Sequence, residues 1–319
     1  MDWKQRIVKD SRGKLSEGDL TWHPDADVSL EVQEFTSGVT TAESMRDWTY
    51  VPLTHDASYD GLLITSNAPK EGEHYSDNTT VLLSFQTTEE SKTSWDGSNC
   101  KALHYDNELA SFWNVISGLD IRLRHGGDHS GVRRPVVDLL PASAYGLGPI
   151  NRIALALYSL DRHYSSALTS SGHLQTACMD APIVYVPVSK MLLQASAFLR
   201  ALRLALTHLA SQYNSEAQPI FHGVSDREEL SPTDEYDNLV RTTLQGLSAV
   251  LGGCDRFSLA GYNSASSYES DPEATRLAAN ISLLLRHESC LDGSTDPLRG
   301  AFSMESATTA FLTPLGNDF

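Results

Sequence analysis

Short apolar, β-branched runs recur along the chain and alternate with longer amphipathic stretches. Residues 61–65, 80–85, 119–123, 135–140, 183–186, 219–221 and 257–259 read as strands. Runs of that length suit a parallel sheet covered on both faces. Between them, 108–116, 150–166 and 188–213 predict helices. The last carries Met191, Leu192, Ala195, Phe198, Leu199, Leu202, Ala205, Leu206 and Leu209 at helical spacing, enough for burial around much of its circumference. A further helix is predicted from Ser231-Pro232 to the stop at Gly252-Gly253, with Asp234 and Glu235 favoured by the dipole of its first turn. Its apolar face reads Tyr236, Leu239, Val240, Thr243, Leu244, Leu247, Val250 and Leu251. The next helix opens with Asp271 as cap and Pro272 at its first position, and buries Leu277, Ile281, Leu284 and Leu285. A strand-like tail over 292–306 follows. Seven or so strand–helix repeats predict an α/β chain of the (β/α)8 barrel type, with a doubly wound open sheet as the alternative from pattern alone.

Composition narrows the partners. The 319 residues carry a net charge of −17, from 24 basic and 41 acidic side chains. A field of that sign repels nucleic acid and anionic membranes, so neither is expected as a partner. No run of 18 apolar residues exists, and Met1-Asp2-Trp3-Lys4 leads into no apolar core, so a cytoplasmic location is expected. Cys100, Cys178, Cys254 and Cys290 lie far apart, without metal-site spacing, and read as buried or free thiols. Residues 1–50 are polar with scattered aromatics; Trp3, Ile7 and Val8 could share one helical face, which reads as an ordinary N-terminal helix packing on its own domain as readily as an arm. The stretches 70–78 and 87–99 read as surface loops.

Few motifs carry chemistry. His125, Asp128 and His129 share a glycine-rich loop, but a metal there needs ligands from elsewhere, and no metal site is expected. No G-x-S-x-G, P-loop or dinucleotide fingerprint appears. His222 and Ser225 follow a strand, at the end where barrel enzymes place their sites.

One stretch carries a family resemblance. The string N-L-V-R-T-T…A-V-L-G-G-C-D over 238–255 is followed by R-x-A-x-N at 276–280, Glu288-Ser289, and D-P-x-x-G-x-x-x-E at 296–305. In order and spacing these resemble the adenosylcobalamin-dependent acyl-CoA mutases, the methylmalonyl-CoA mutase family, and most of all its small, non-cobalamin-binding subunits. The resemblance implies a degenerate barrel over 51–319, an arm over 1–50 that wraps a partner, and no cobalamin-binding domain: the cobalt-ligand pattern D-x-H-x-x-G is not present. Asn238, Arg241, Asp255, Arg276, Asn280, Glu288, Asp296 and Glu305 are then structural residues of the family motifs. Where catalytic subunits read R-T-H-S-Q-T-S, this chain has Ile220 to Ser225. That leaves His222 and Ser225 as substrate-binding candidates, with His222 the weak catalytic one, and removes an arginine suited to an anionic substrate. Arg200 and Arg203 resemble the family's L-R-A-x-R and are expected in structural ion pairs. His173 lacks the tyrosine that precedes it in catalytic subunits. Arg299 replaces a glycine of D-P-x-G-G-S-Y-Y, which implies that a tight turn is no longer needed.

Three functions follow from the resemblance. The first is a non-catalytic partner of a mutase large subunit, with adenosylcobalamin reaching the assembly only through that partner. The second is a short catalytic isomerase barrel completed by a separate cobalamin-binding chain. The third is an acyl-CoA-binding module.

Overall fold

Parallel strands and the helices stacked on them build the core. The computed structural model describes residues 48–54, 136–171, 181–213, 218–266, 271–291 and 298–316, with 8, 9, 11, 16, 21–25, 28–31, 61–65, 79–83, 102–105, 215 and 296. An antiparallel hairpin joins β1 (Thr21–Asp25) to β2 (Val28–Glu31). The parallel strands are β3 (Thr49–Tyr50), β4 (Leu53–Thr54), β5 (Gly61–Thr65), β6 (Thr79–Leu83), β7 (Ala102–Tyr105), β8 (Val136–Asp138), β9 (Ile183–Val188), β10 (Ile220–Ser225) and β11 (Arg256–Ser258). They form two sheets, ordered β4-β5-β6-β7 and β3-β11-β10-β9-β8.

Only Val51 and Pro52 separate β3 from β4, and a proline cannot donate to the ladder. Taken as one broken strand, β3 and β4 link the two sheets into a single progression in chain order. The run goes from β7 back to β4, across to β11, and back to β8. A pairing of β7 with β8 is not among the described ones. Among the described residues the molecule is therefore a parallel α/β structure. The expected strand at 119–123 and helix at 108–116 fall between those strands, outside the described residues, as do His125, Asp128, His129, His173, Trp3 and Ile7.

The helices are α1 (Leu140–Ala144), α2 (Pro149–Ser171), α3 (Leu192–Gln212), α4 (Asp237–Leu251), α5 (Pro272–Leu283) and α6 (Phe302–Leu312). Helix α3 packs against α2, α4 and α6. One core joins Val184, Val186, Phe221 and Phe257 of the sheet to Ile153, Leu160, Phe198, Leu202, Leu206 and Phe311 of the helices. Each such side chain contributes about 1.5–3 kcal/mol by leaving water.

Several boundaries differ from the pattern. Helix α3 starts at Leu192, because β9 claims Val188. Helix α4 starts at Asp237 rather than Ser231, because Ser231 Oγ accepts from the N–H groups of Thr233 and Asp234 and holds a turn there. Helix α5 is capped as expected, with Asp271 Oδ1 accepting from Glu273 N at 2.9 Å and Pro272 at the first position. A π turn over Leu284–Glu288 then shifts the register. Leu285 is buried while Leu284 is exposed and Leu277 half-buried, and Ala274, Ala278 and Ile281 complete the inner stripe. The π turn carries the Arg286 guanidinium 4.2 Å above the Trp48 ring and onto the Trp48 carbonyl. Trp48 Nε1 donates in turn to the Leu291 carbonyl at 2.6 Å. The tail expected to be strand-like is α6, which buries Met304, Ala307, Thr308 and Phe311 at helical spacing. The tight turn before it persists despite Arg299: Gly300 takes φ +78, a conformation that favours glycine.

Helix α4 departs furthest from its pattern. Asn238, Thr242, Gln245, Gly246, Ser248 and Ala249 face inward. Of the expected apolar face, Tyr236 and Val240 are exposed, and Leu239, Thr243, Leu244 and Leu247 are half-buried. Val250 and Leu251 alone are buried, at the helix end.

Candidate functional site

Strands β9 and β10 alternate between two faces, because successive side chains of a strand point opposite ways. Val184, Val186 and Phe221 meet the helices. Ile183, Tyr185 and Val224 form a separate cluster on the opposite face, joined by Val51, Leu53, Leu140 and Ile220. Strand register sets a row across that face: Asp138 lies beside Tyr185, Tyr185 beside His222, and His222 beside Arg256.

His222 lies inside β10, not beyond its end as the sequence suggests, and is 2% exposed. Its ring stacks on Tyr185 with centroids 5.1 Å apart. His222 Nε2 lies 2.8 Å from Ser258 Oγ. The Ser258 hydroxyl donates its single proton to the Val51 carbonyl at 2.6 Å. Ser258 therefore accepts from His222, which assigns the Nε2 proton of the imidazole. Tyr185 is fully buried, and burial pushes its phenol well above the ordinary range, with Arg256 opposing and Asp138 reinforcing. Asp138 is buried and accepts from Leu140 N at 2.9 Å. The row is thus a neutral tyrosine and an oriented histidine between a carboxylate and a cation, with little surface open to a ligand.

Ser225 ends β10 two residues beyond Gly223, on the opposite face from His222. A Cβ on Gly223 would come within 2.8 Å of Val188 Cγ2 on β9 and 3.1 Å of Cys254 Sγ in the loop after α4, so a side chain there has no room. The structure therefore does not bring His222 and Ser225 to one surface. Among the described residues the buried Ser225 hydroxyl has no hydrogen-bond partner. Cys254, buried beneath, has its thiol pushed up to about 12 by burial and is chemically quiet.

Beyond the C-terminal ends of β8, β9 and β10 sits a second polar cluster that sequence reasoning missed. Asp226 caps the turn at Arg227–Glu229 and accepts from the Ser143 hydroxyl. Burial raises its carboxyl, against the lowering effect of Ser143 and Arg152. Glu229 accepts from Ser189 Oγ at 2.5 Å and Lys190 N at 2.7 Å, tying the loop after β10 to the loop after β9. Gln245 Nε2 reaches the Asp226 carbonyl at 2.9 Å. The signal available in sequence was the D-R-E-E run after a strand, which reads as an ordinary solvated turn.

The family-motif residues separate into four groups. Asp296 and Glu305 converge on Arg200, at 2.5 and 3.2 Å, with the Arg200 side chain fully buried. Gly300 N donates to Glu305 at 2.9 Å, so this motif and Arg200 are one network. Arg203 donates to Asp255 at 3.0 Å and to the carbonyls of Pro219 and Gly253, at the opposite end of β10 and β11. Asn238 bonds Ser231 N at 2.8 Å, Ser231 O at 2.9 Å and Tyr262 O at 2.8 Å, stapling two loops. Arg241 reaches the Glu229 carbonyl at 3.4 Å. Arg276 pairs with Glu273 in the open, Asn280 is half-buried, and Glu288 is exposed on the π turn.

Among the described residues, no group of three or more His, Cys, Asp or Glu side chains could hold a metal. None of their helices is long and apolar enough to cross a membrane.

Comparison with known proteins converges on one family. Residues 185–314 match the methylmalonyl-CoA mutase family model. A methylmalonyl-CoA mutase of Rhizobium meliloti is 33% identical over 117 residues, 35% of this chain and 16% of that protein. The 2-hydroxyisobutanoyl-CoA mutase large subunit of Aquincola tertiaricarbonis is 26% identical over 174 residues, 53% of this chain and 31% of the relative. The methylmalonyl-CoA mutase small subunit of Propionibacterium freudenreichii is 23% identical over 177 residues, 54% and 28%. The chain matches less than a third of the length of each of these relatives.

Proposed function

We propose, from the membership of residues 185–314 in the methylmalonyl-CoA mutase family, that this chain is a mutase-type barrel serving as a non-catalytic partner of a cobalamin-dependent acyl-CoA mutase. Closure between β7 and β8 completes the barrel, and its inner face is the one that carries Asp138, Tyr185 and His222. One observation carries the reading. The histidine of that face is buried, stacked on Tyr185 and committed to Ser258, so it offers neither an open proton site nor a contact surface for an anionic thioester. Ile220, at the start of the stretch that holds an arginine in catalytic subunits, adds no charge there.

Adenosylcobalamin does not fit the described residues of this face, because His222 gives Nε2 to Ser258 and is closed off. The cofactor belongs with a partner chain in this reading. Binding to the folded state alone lets such a chain stabilise its partner by mass action. A cytoplasmic location accords with this role.

The second reading is a catalytic barrel completed by a separate cobalamin-binding chain. It draws on the likeness to a large subunit and on the oriented His222 between Tyr185 and the cationic Arg256. Co-purification of the full chain, with mass spectrometry and a mutase assay under added adenosylcobalamin, separates the two. Co-isolation of a large mutase subunit, with activity unchanged by His222→Gln and Tyr185→Phe, supports the partner role. Activity lost in both variants, with melting temperatures retained, overturns it in favour of catalysis by this chain.

A further inference from the structure

We infer that the outer face of α4 docks a cationic amphipathic helix of another polypeptide, a deepening that rests on the subunit reading above. Tyr236, Val240, Leu244 and Leu247 follow one another at spacings of four, four and three, a seam of the kind helices pack along; its Tyr236–Val240 end is open, while Leu244 is half-buried and Leu247 leans on the core. Tyr236 is 72% and Val240 63% exposed. Single exposed apolar residues are ordinary, but an aligned stripe is not. At one end the stripe broadens, where the Tyr236 ring stacks on Tyr262 with centroids 5.4 Å apart and planes 13° from parallel.

The helix cannot rotate to hide this stripe. Its inward side is held by Asn238 to Ser231 and Tyr262, and by Gln245 to Asp226. Gly246 lets Leu285 and Leu259 approach so closely that a Cβ would sit 3.1 Å from Leu285 Cδ1. Turning α4 would break these bonds and bury an unsatisfied amide, at a larger cost than leaving Val240 in water.

Charge selects the occupant. Asp234, Glu235 and Asp237 flank the aromatic end of the stripe. Arg241 is the lone cation in the α4 sequence, and it is turned toward the Glu229 carbonyl. Stacked tyrosine faces beside carboxylates attract ammonium and guanidinium groups. A second copy of this chain, itself at a net charge of −17, would bring the same acidic face to the contact, whereas a basic helix complements it.

The test uses the full chain and two synthetic three-heptad peptides, both with leucine at a and d. One has lysine at e and g and the other glutamate. The lysine peptide should bind saturably and slow hydrogen exchange over residues 236–247. Val240→Glu and Asp234→Lys should each weaken it roughly tenfold, and the glutamate peptide should not bind. Equal affinity for both peptides, or an unchanged affinity in both variants, overturns the inference. Self-association abolished by Val240→Glu assigns the face to a second copy instead. Protection of the Tyr236 ring from oxidative labelling in the free monomer assigns it to a segment of the chain itself. If peptide binding holds but no mutase subunit co-purifies, the subunit reading falls alone. If a subunit co-purifies equally well with Val240→Glu, the surface falls alone.

Discussion

Helices α3 and α4 flank the same strand, and each buries what the other shows. Helix α3 turns Phe198, Leu199, Leu202 and Leu206 inward, as its apolar periodicity requires. Helix α4 turns Asn238, Thr242, Gln245 and Ser248 inward and leaves Tyr236 and Val240 in solvent. Helix α3 packs mainly against α2, α4 and α6, with its apolar stripe in the shared core. The start of α4 lies over the loops leaving β10 and β11, where main-chain groups of Ser231, Asp226 and Tyr262 need partners. A buried peptide group left unpaired costs about 1–3 kcal/mol, and several such groups outweigh the burial of one valine and one tyrosine edge. Polar demand at a loop cluster can therefore override the apolar stripe of a helix in deciding which side faces the core.

Even α3 has a polar interior, and there the comparison can be broken most severely. Arg200→Met should cost about 3–5 kcal/mol, because Asp296 and Glu305 would be left as uncompensated buried charges. Urea titration reads this directly, and a loss below about 1 kcal/mol would mean that the network is not the clamp joining α3 to α6. Asn238→Ala is the matching cut in α4. It removes three hydrogen bonds at once and should cost about 2–3 kcal/mol, with faster exchange at Ser231 and its neighbours.

A third probe acts through pH. The folded-state carboxyl of Asp226 lies above its unfolded value, chiefly through burial. Its stabilising contribution is complete below the unfolded value near 3.8 and fades as pH rises through the elevated folded value. Asp226→Asn should therefore gain on the wild type as pH climbs from acid toward neutral, then hold level. Paired thermal melts across that range check the sign, and a gain that appears on acidification would reverse the assignment. The smallest effect is expected on the outer face. Val240→Ser should leave stability within about 0.5 kcal/mol, and a larger loss would place Val240 inside the fold after all.

Much of the fold was legible because strands and long helices announce themselves by period. The strands at 61–65, 80–85 and 183–186, the long helix over α3 and the Asp271-Pro272 cap follow from side-chain alternation, apolar stripes and capping chemistry. The mutase motifs were legible as strings, but their purpose was not. That Asp296, Gly300 and Glu305 close on Arg200 is a contact across about a hundred residues, which no local pattern encodes. The candidate site was read as His222 with Ser225. Alternation along β10 separates them, and the true neighbours, Tyr185 and Ser258, come from other strands through register. The clustering of Asp226 and Glu229 with Ser143 and Ser189 was likewise invisible, since it forms only where loops from three strands meet.

The sequence by itself determined the α/β class of the chain, its likeness to the mutase family over the C-terminal half and the periodic identity of most of its described strands and helices, because those depend on neighbours a few residues away. Tertiary structure alone decided which face of α4 is inside, which glycine keeps the turn before α6, and that His222 is locked between Tyr185 and Ser258. Each of those outcomes depends on satisfying buried polar groups in three dimensions, and the partners that satisfy them lie far apart along the chain.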